Sequence, residues 1–474
     1  MTHYIKLLSL SVLGVSILGF GCKKFVEIPP PTTELVTTNV FNDASTATAA
    51  QTAIYTSMFL NGAGFGIEIN TGLSSDELQT YFSGSYFFDL YTNTLNAIND
   101  GNSLSGQWSG PYNYIYQANA VIAGLQNNSG VDTASKRQLT GEAEFIRAFW
   151  YFYLVNTYGD VPLLTTTAYQ TNSVASRTPM EKVYSQIVAD LIDAQKLLSP
   201  NFVDETDTAV SQDHVRPTKW AATAFLARVY LYTGDYKDAA IQAGAVINSG
   251  QFSLVPDPNQ VFLENSNEAI WQLMPPPGYY ATSEGTLFIL TTSPGNSSAG
   301  AALSPQFLNA FDSGDLRRID WVDSIIVSGS TYYYPYKYKA DMSSTTLTEY
   351  GMVLRLSEQY LIRAEAEAAD NDLTDATSDV NTIRNRAGLG NLPNATTTDL
   401  QLMLLAIQHE RQVELFTEWG DRWFNLKRTN ALDSVMTMVN PQKGGTGWQS
   451  FQQLYPIPTT DIQNDPNLKQ TPGY

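Results

Sequence analysis

The sequence predicts a mainly α-helical protein in which pairs of helices repeat along the chain. Apolar residues recur at spacings of three and four over many segments, which is the period of one helix face. One segment carries aromatic residues along one face over about five helical turns. Another reproduces the residue spacing of a known helix-pair repeat. With 43% hydrophobic residues, the chain of 474 residues can bury a large core.

The first 40 residues are predicted to serve export and attachment. Residues 7–20 form an apolar run that is too short to cross a bilayer comfortably but suits a secretory signal, so residues 1–21 are a predicted signal peptide. Cys22 follows directly and is the only cysteine, so we expect it to carry a lipid after cleavage; an ordinary thiol is the alternative. Residues 22–40, with prolines at 29–31, are predicted as a lipid anchor and extended tether.

Helical periodicity marks the segments that follow the tether. Apolar or small residues repeat on one face over residues 49–58 and again over 112–122. Residues 139–158 carry one aromatic stripe, which predicts a long and mostly buried helix that ends at Gly159. The stripe consists of Phe145, Phe149, Phe152 and Tyr153. Further helices are predicted at residues 179–198, 218–233, 236–248, 355–370, 373–387 and 398–418.

One of these helix pairs has a recognisable repeat pattern. Residues 226–239 reproduce the leucine, small, aromatic, glycine, aromatic and alanine spacing of a tetratricopeptide pair. Small residues let the two helices approach closely, and aromatic residues fill the groove between neighbouring pairs. Residues 364–376 match the same template at fewer positions, as do Ala148 and Tyr151. Together these matches indicate a divergent helical repeat.

Other stretches lack the repeat. Residues 62–102 and 275–304 are rich in aromatic side chains and are predicted as loops, with a strand-like alternation at residues 86–88. The alternating tyrosines of residues 332–338 predict a strand or hairpin. Residues 312–315 could approach a calcium ion, but they lack the further oxygen ligands of such a site and are predicted as a turn.

Composition narrows the class of partner. The formal net charge of −19 makes nucleic acid and anionic lipid headgroups poor partners. Charged residues make up 15% of the chain, below the roughly 25% of average soluble domains. Much of the surface must therefore be polar without charge, which suits an exported binding protein.

Motifs for catalysis are missing. His214 and His409 are the only histidines beyond the signal peptide, and His409 lacks the second histidine of a zinc-protease helix, so it fits a salt-bridged helix face. A Gly-x-Ser-x-Gly elbow and a phosphate-binding glycine loop are also missing. We predict a protein that is not an enzyme and has no catalytic residue, metal ligand or cofactor. A glycosidase pair of carboxylates remains the alternative, since such pairs meet in space rather than in sequence.

Eight ordered motifs run through the mature chain. The first joins residues 147–152 to Tyr-Gly-Asp-Val-Pro at 158–162, and the last spans residues 455–474, with Thr471 where asparagine is common. The others are Arg-Pro-Thr-Lys-Trp at 216–220, Asn-Glu-Ala-Ile-Trp at 267–271, Asp-Leu-Arg at 315–317, Leu-Arg-Leu-Ser-Glu at 354–358, Ile-Arg-Asn-Arg-Ala-Gly at 383–388 and Glu-Arg-Gln-Val-Glu-Leu at 410–415. Together they resemble the SusD/RagB family of bacterial outer-membrane nutrient-binding lipoproteins.

The resemblance implies an architecture. It implies a scaffold of about four tetratricopeptide-like helix pairs with an inserted loop-rich subdomain that carries short β-strands. Residues 41–474 would form a single body, divided into an N-terminal part over about 41–260 and a loop-rich and C-terminal part over about 261–474. By the same analogy, the residues of the motifs hold the scaffold together and are not expected to contact a ligand.

The resemblance also implies a function. The protein would be a lipoprotein of the cell outer membrane that faces the exterior and binds a nutrient, most often an oligosaccharide or polysaccharide. Its partner would be a SusC-like TonB-dependent barrel transporter, over which it acts as a lid. Two alternatives fit the same sequence: capture of peptides or protein fragments by the same architecture, and a tetratricopeptide adaptor that binds no nutrient.

Ligand contacts are expected on the two aromatic-rich stretches. Sugar rings stack their C–H faces on aromatic side chains, while their hydroxyls need amides and carboxylates nearby. Residues 275–280 are the sharpest candidate, because three prolines would hold two tyrosines outward at low entropic cost. Inward packing is the alternative for each aromatic residue. The candidate ligand-binding residues are Tyr279, Tyr280, Tyr81, Tyr86, Asn70, Asp76 and Trp321.

Overall fold

The computed structural model describes residues 40–100, 103–126, 128–295 and 300–474. The predicted signal peptide, the lipidation site Cys22 and all but the last residue of the predicted tether lie outside the described residues. Phe41–Tyr474 forms one compact unit by its internal contacts.

Helices dominate the described residues, as the sequence predicts, and the strands are short. The helices are α1 Ala44–Leu60, α2 Ala63–Ser74, α3 Tyr86–Thr92, α4 Ser105–Gln126, α5 Thr133–Tyr158, α6 Tyr169–Asn172, α7 Met180–Leu197, α8 Lys219–Thr233, α9 Tyr236–Ile247, α10 Ser283–Phe288, α11 Pro305–Leu308, α12 Leu316–Asp320, α13 Leu356–Ala369, α14 Leu373–Arg386, α15 Asn394–Thr397, α16 Leu400–Glu414, α17 Asp421–Arg428, α18 Leu432–Val439 and α19 Thr459–Asn464. The strands are β1 Leu78–Thr80, β2 Ala269–Leu273, β3 Ala301–Leu303, β4 Val322–Val327, β5 Ser330–Pro335 and β6 Gly351–Arg355.

Eight of the described helices form the repeating scaffold, which amounts to the four expected pairs. In chain order they are α4, α5, α7, α8, α9, α13, α14 and α16, and each packs against the next. The pair with the sequence match is α8 and α9, joined at Gly234, whose φ of +78° is the left-handed conformation that glycine adopts without strain. Ala227 and Ala239 of this pair are fully buried against each other's helix. The predicted tetratricopeptide-like repeat is confirmed.

The long aromatic helix α5 lies at the centre of the scaffold. The ring centroid of Phe149 lies 5.1 Å from that of Phe225, 5.5 Å from that of Trp271 and 5.0 Å from that of Trp419. Rings at these separations and tilts attract each other beyond the area that they bury. The predicted stripe is thus the place where α5, α8, β2 and the turn after α16 meet.

The carbonyl groups at the C-terminal end of α5 accept hydrogen bonds, mostly from residues far away in sequence. Its last four carbonyl oxygens accept hydrogen bonds from the backbone N–H groups of Gly159 and Tyr455 and from the side chains of Lys427 and Arg177. A helix end leaves four carbonyls without partners inside the helix, so these donors remove a cost that burial would otherwise impose.

The short strands pair in three antiparallel ladders. β1 pairs with β3 from Leu78 opposite Leu303, which ties the N-terminal part to the insertion between α9 and α13. β2 pairs with β6, and β4 pairs with β5 as a hairpin. Ser328 and Gly329 form its two-residue turn with positive φ values of +52° and +84°. The hairpin predicted from the tyrosine alternation is confirmed.

Two local predictions are wrong. Residues 62–102 and 275–304 are not loops throughout, since the first stretch contains α2, β1 and α3 and the second contains α10 and β3. Residues 86–88 open helix α3 rather than a strand, and Leu90 is the apolar residue that this helix buries. An alternation over three residues is too short to distinguish the two periods, and aromatic residues favour strands mainly because strands bury them. Helices α2, α17 and α18 were also absent from the sequence-based expectations.

The motif residues meet in a buried ionic network around Glu414. Its carboxylate accepts hydrogen bonds from Arg355 at 2.5 Å, from Arg317 at 3.0 Å and from Arg386. Burial alone would raise the pKa of the Glu414 carboxyl, but the three guanidinium groups hold it well below its ordinary value. Arg317 also pairs with Asp315 at 2.8 Å. We call these five residues the ionic core, and they hold α12, β6, α14 and α16 together.

Candidate functional site

Tyr279 and Tyr280 line a surface cavity of about 340 Å³, which we call the tyrosine cavity. Tyr279 is 51% exposed and Tyr280 43% exposed. After the three prolines, Gly278 takes a positive φ of +94°, and the N–H of Tyr279 donates to the carbonyl of Pro276 at 3.1 Å. This turn lays the ring of Tyr279 edge-on against Phe59, with centroids 6.0 Å apart.

A second cavity of about 640 Å³ adjoins the first, and we call it the Trp150 cavity. It is lined by the starts of α2, α3 and α4 and by Trp150 of the central helix α5. Leu60, Ser283 and Leu287 line both cavities, so the two form one continuous depression, the groove. Each cavity has the size of a typical ligand pocket.

Two polar groups in the Trp150 cavity have no partner. The amide oxygen of Asn70 and the indole N–H of Trp150 are both buried without a hydrogen bond in the described part of the chain. Leaving such a group unpaired costs about 1–3 kcal/mol. An acceptor and a donor that lack partners in the lining of one cavity suit a ligand whose hydroxyls both give and take hydrogen bonds.

Aromatic rings and a further amide complete this cavity. The ring of Tyr114 stacks on Trp150 with centroids 4.9 Å apart, and Tyr86 lies at the rim with its ring 4.3 Å from that of Phe87. Burial raises the pKa of Tyr86 to about 12, so its hydroxyl stays protonated near neutral pH and can donate. Gln107 adds an uncharged amide to the lining.

The groove is almost free of charge. Asp341 is the one charged side chain among the described residues that line the two cavities. Its carboxylate already accepts hydrogen bonds from the backbone and hydroxyl of Ser343, at 2.9 Å and 2.6 Å. In a chain with 46 acidic and 27 basic residues, this lining stands out from the rest of the molecule.

The structure brings four of the seven candidate residues into the groove: Tyr279, Tyr280, Tyr86 and Asn70. Tyr81 is 46% exposed but lines neither cavity. Its ring packs edge-on against Tyr332, with centroids 5.1 Å apart. Sequence reasoning assigned Trp150, in the motif at residues 147–152, to the scaffold and did not single out Tyr114, yet both line the Trp150 cavity. Both belong to long helices, and only the fold opens a cavity beside them.

The other two candidates, Asp76 and Trp321, are buried, which corrects their placement on loop surfaces. Both oxygens of Asp76 pair with Arg422, at 2.8 Å and 2.7 Å. Burial would raise the pKa of this carboxyl, yet Arg422 brings it below its ordinary value. Trp321 is fully buried, donates its indole N–H to the carbonyl of Pro258 at 2.8 Å and lies beside Lys337, whose ammonium is 4.8 Å from the ring centre. A paired acid and an enclosed ring offer no surface to a ligand.

The histidines and the acidic turn take part in local structure. His214 stacks on Phe202, and a ring nitrogen of His409 lies 2.7 Å from the carbonyl of Ala310. Residues 312–315 form the predicted turn, in which the N–H of Asp315 donates to the carbonyl of Asp312 at 3.2 Å. No group of three or more metal-binding side chains is gathered in the described residues. None of the helices in the described ranges has the length and apolar character needed to cross a membrane.

Two family models match the chain, and together they span more than two thirds of it. Residues 52–231 match the model described as "Starch-binding associating with outer membrane". Residues 323–474 match the model described as "SusD family". The first segment contains α4, α5, α7 and all but the last two residues of α8, and the second contains α13, α14 and α16. Of the eight helices of the repeating scaffold, α9 alone lies outside both segments.

Relatives and solved structures agree with these matches. The SusD-like protein P2 of Formosa agariphila is 28% identical over 436 residues, which cover 81% of this chain and 83% of that protein. A SusD superfamily protein of Bacteroides vulgatus has a similar structure, with a TM-score of 0.75 at 22% identity over 92% of this chain and 100% of that one. Surface glycan-binding protein A of Bacteroides uniformis gives a TM-score of 0.75 at 20% identity, over 90% and 98% of the two chains.

At such identities the solved structures show the fold alone, and the two family models show the family. The helical scaffold with its inserted strands, the ordered motifs and these matches agree with one another. The chain belongs to the SusD family.

Proposed function

We propose that the protein captures an oligosaccharide in the groove, at the outer surface of a bacterial outer membrane. In this proposal it is anchored through lipid on Cys22 and hands the ligand, chemically unchanged, to a SusC-like TonB-dependent transporter. The family description names starch binding and association with the outer membrane, and the Bacteroides uniformis structure is of a glycan-binding protein. Both support the proposal.

The observation that carries the proposal is the uncharged, aromatic lining of the groove. Neutral sugars offer apolar C–H faces and many hydroxyls, and they carry no charge to be matched. Peptides carry charged termini and side chains, which a groove with Asp341 as its one described charge would pair poorly. The lining therefore favours a glycan over the peptide alternative.

The two exposed tyrosines supply the stacking surface. Tyr279 is braced by Phe59, and the turn after the prolines restricts the backbone on which both tyrosines stand. Little conformational freedom is then lost when a sugar ring stacks on them, so more of the stacking energy appears as affinity. The unpaired Asn70 and Trp150 groups would complete the site by exchanging hydrogen bonds with hydroxyls.

Calorimetric titration against neutral oligosaccharides of plant, host and microbial origin tests the proposal. The double variant Tyr279→Ala, Tyr280→Ala should bind a saturating glycan at least about 2 kcal/mol more weakly, roughly thirtyfold, because it removes the stacking surface. Its thermal stability should stay close to that of the unchanged protein, since both rings are about half exposed.

The matched control is Tyr169→Ala. Tyr169 is 80% exposed and lies outside both cavities, so its removal should leave glycan affinity unchanged. A folded double variant with full affinity would show that the tyrosine cavity is not the site. A panel in which charged peptides bind and neutral glycans do not would replace the glycan with the peptide as ligand.

A further inference from the structure

A third cavity of about 530 Å³ lies between the end of α5 and the C-terminal tail, and we call it the lysine cavity. Its lining residues include Lys427 and Arg428 of α17, Tyr184 of α7 and Tyr232 of α8. Phe451 and other apolar residues of the tail close one side. The lysine cavity shares no described lining residue with the groove, so it is a separate place on the molecule.

The lysine cavity has the opposite charge to the chain as a whole. The chain carries a net charge of −19, yet none of the described lining residues of this cavity is acidic. Acids that adjoin its lining residues have partners of their own. Glu365 pairs with Arg428, Asp421 pairs with Arg411, Asp433 accepts hydrogen bonds from Trp448, Ser450 and Gln453, and Asp160 accepts one from the backbone N–H of Met180.

One positive charge in this cavity has no counter-ion. The guanidinium of Arg428 is neutralised by both oxygens of Glu365, at 2.7 Å and 2.6 Å. Its Nε, however, has no hydrogen-bond partner. Lys427 forms one hydrogen bond, to the carbonyl of Asn156, and has no ion pair among the described residues. An ammonium has three protons to donate, so two of them remain available.

Lys443 shows what a satisfied buried lysine looks like in this protein. Its ammonium donates to the carbonyls of Leu73, Ser74 and Ser75 at 2.7 Å, 3.1 Å and 2.8 Å, at the end of α2. Lys443 lines none of the cavities described above. Lys427 lines a cavity, and its ammonium donates to one carbonyl oxygen instead of three. It therefore keeps protons without an acceptor in the described part of the chain, whereas the Lys443 ammonium does not.

Neutral groups around Lys427 can recognise a polar ring. The Tyr184 hydroxyl accepts a hydrogen bond from the amide of Asn156 at 2.8 Å, which leaves its own proton to donate. The Tyr232 hydroxyl has no hydrogen-bond partner among the described residues. The ring of Phe451 is 37% exposed and offers an apolar face.

We infer that the lysine cavity binds a sugar ring that carries one negative charge, as a uronate carboxylate or a sulfate monoester, with that charge on Lys427 and hydroxyls on Tyr184 and Tyr232. A single uncompensated cation matches a monoanion, whereas a phosphate monoester brings up to two charges near neutral pH. The monoanionic charge follows from the cavity alone. That the ring is a saccharide rests on the proposed function.

The titration of Lys427 gives the inference a second readout. Burial lowers the pKa of its ammonium to about 7, and a bound anion would raise that pKa again. In the free protein the positive charge is present below about pH 7 and is lost above it. Binding of a monoanion should therefore weaken as the pH rises through this range.

Calorimetric titration of the full-length protein with glucuronate, glucose 6-sulfate and glucose at pH 6 and pH 8.5 tests the inference. We expect at least one of the two acids to bind at pH 6, at least tenfold more tightly than glucose, and at least tenfold more weakly at pH 8.5. Whichever acid binds identifies the source of the negative charge. Lys427→Met should abolish this binding.

Tyr232→Phe keeps the test decisive if Lys427→Met fails to fold, because it removes a hydroxyl without a partner. It should weaken acid binding at least threefold, whereas Tyr230→Phe, on the same helix but outside the cavity, should not. The double variant Tyr279→Ala, Tyr280→Ala should retain acid binding, which separates this inference from the fate of the groove. Equal binding of glucose and the acids, no binding of either acid, or full affinity in Tyr232→Phe would overturn the inference.

Discussion

The ionic core and the groove treat polar groups in opposite ways. In the ionic core, Glu414 is fully buried and meets three guanidinium groups. In the groove, Asn70 and Trp150 keep polar atoms without partners, and Asp341 is the one charge among the described lining residues. One region is saturated with interactions inside the chain, and the other leaves interactions unmade.

This difference explains what the family motifs encode. The motifs at residues 315–317, 354–358, 383–388 and 410–415 supply all five residues of the ionic core, and none of them lines the groove. A buried charge without its partner is costly, so each of these positions constrains the others. These four motifs therefore stabilise the scaffold, and in the proposed function the ligand contacts come from residues outside them.

The largest effect is expected from breaking the ionic core. Arg355→Met leaves Glu414 and Glu418 without the guanidinium that contacts both, at 2.5 Å and 2.7 Å. Glu414 keeps Arg317 and Arg386, and Glu418 keeps Lys337, but the buried cluster loses one positive charge and is left with excess negative charge. The free energy of unfolding should therefore fall by about 3–5 kcal/mol. Urea denaturation followed by circular dichroism measures this change.

An exposed ion pair provides the control for that variant. Lys196 and Asp193 lie 2.9 Å apart with side chains 66% and 57% exposed. Lys196→Met should change the free energy of unfolding by less than about 1 kcal/mol, because water already solvates both charges. Similar losses in the two variants would mean that the ionic core contributes no more than a surface pair.

Most of the fold could be predicted because periodicity and motif order report on burial directly. The aromatic stripe of α5 and the alanines of α8 and α9 are positions where the sequence pattern and the packing coincide. The prediction of a strand at residues 86–88 was wrong because three aromatic residues fit a strand and a helix equally well. Short helices such as α17 could not be predicted, because two turns contain too few repeats of the apolar spacing to identify a helix.

The groove could be predicted only in part. Tyr279 and Tyr280 have a local signal, since prolines and a glycine direct them outward. Asp76 and Trp321 were candidates by residue type, without such a local signal. Arg422 and Pro258, which lie far away in sequence, take up their polar groups. Trp150 shows the converse, because its cavity exists only where α2, α3 and α4 meet α5. Exposure that depends on distant partners cannot be read from a local pattern.

A smaller effect is expected at Glu77, whose buried carboxyl has no ion pair among the described residues, unlike the carboxylates of the ionic core. Burial, and then the neighbouring Asp76 carboxylate, raise the pKa of Glu77 from 4.5 to about 8. Between these values the folded protein holds a proton that the unfolded chain releases, so stability falls as the pH rises across that range. Glu77→Gln removes this loss and should stabilise the protein by about 1–3 kcal/mol at pH 8.5.

The gain should be much smaller at pH 5, where the unfolded chain keeps more of its protons. Urea denaturation at the two pH values measures the difference, with Glu181→Gln on the exposed first turn of α7 as the control. A gain of the same size at both pH values would contradict the raised pKa and would point to a change in packing instead.

The smallest effect is expected from salt, and it tests the contrast between the two regions at the groove itself. Raising sodium chloride from 0.1 M to 1 M shortens the Debye length from about 10 Å to about 3 Å and so weakens interactions between exposed charges. Because the described lining of the groove holds only Asp341 as a charge, the affinity for a neutral glycan should change less than about twofold. Asp341→Asn should remove any dependence that remains. A change of more than about tenfold would mean that charges other than Asp341 act on the bound glycan, and it would contradict the contrast between an uncharged groove and a charged ionic core.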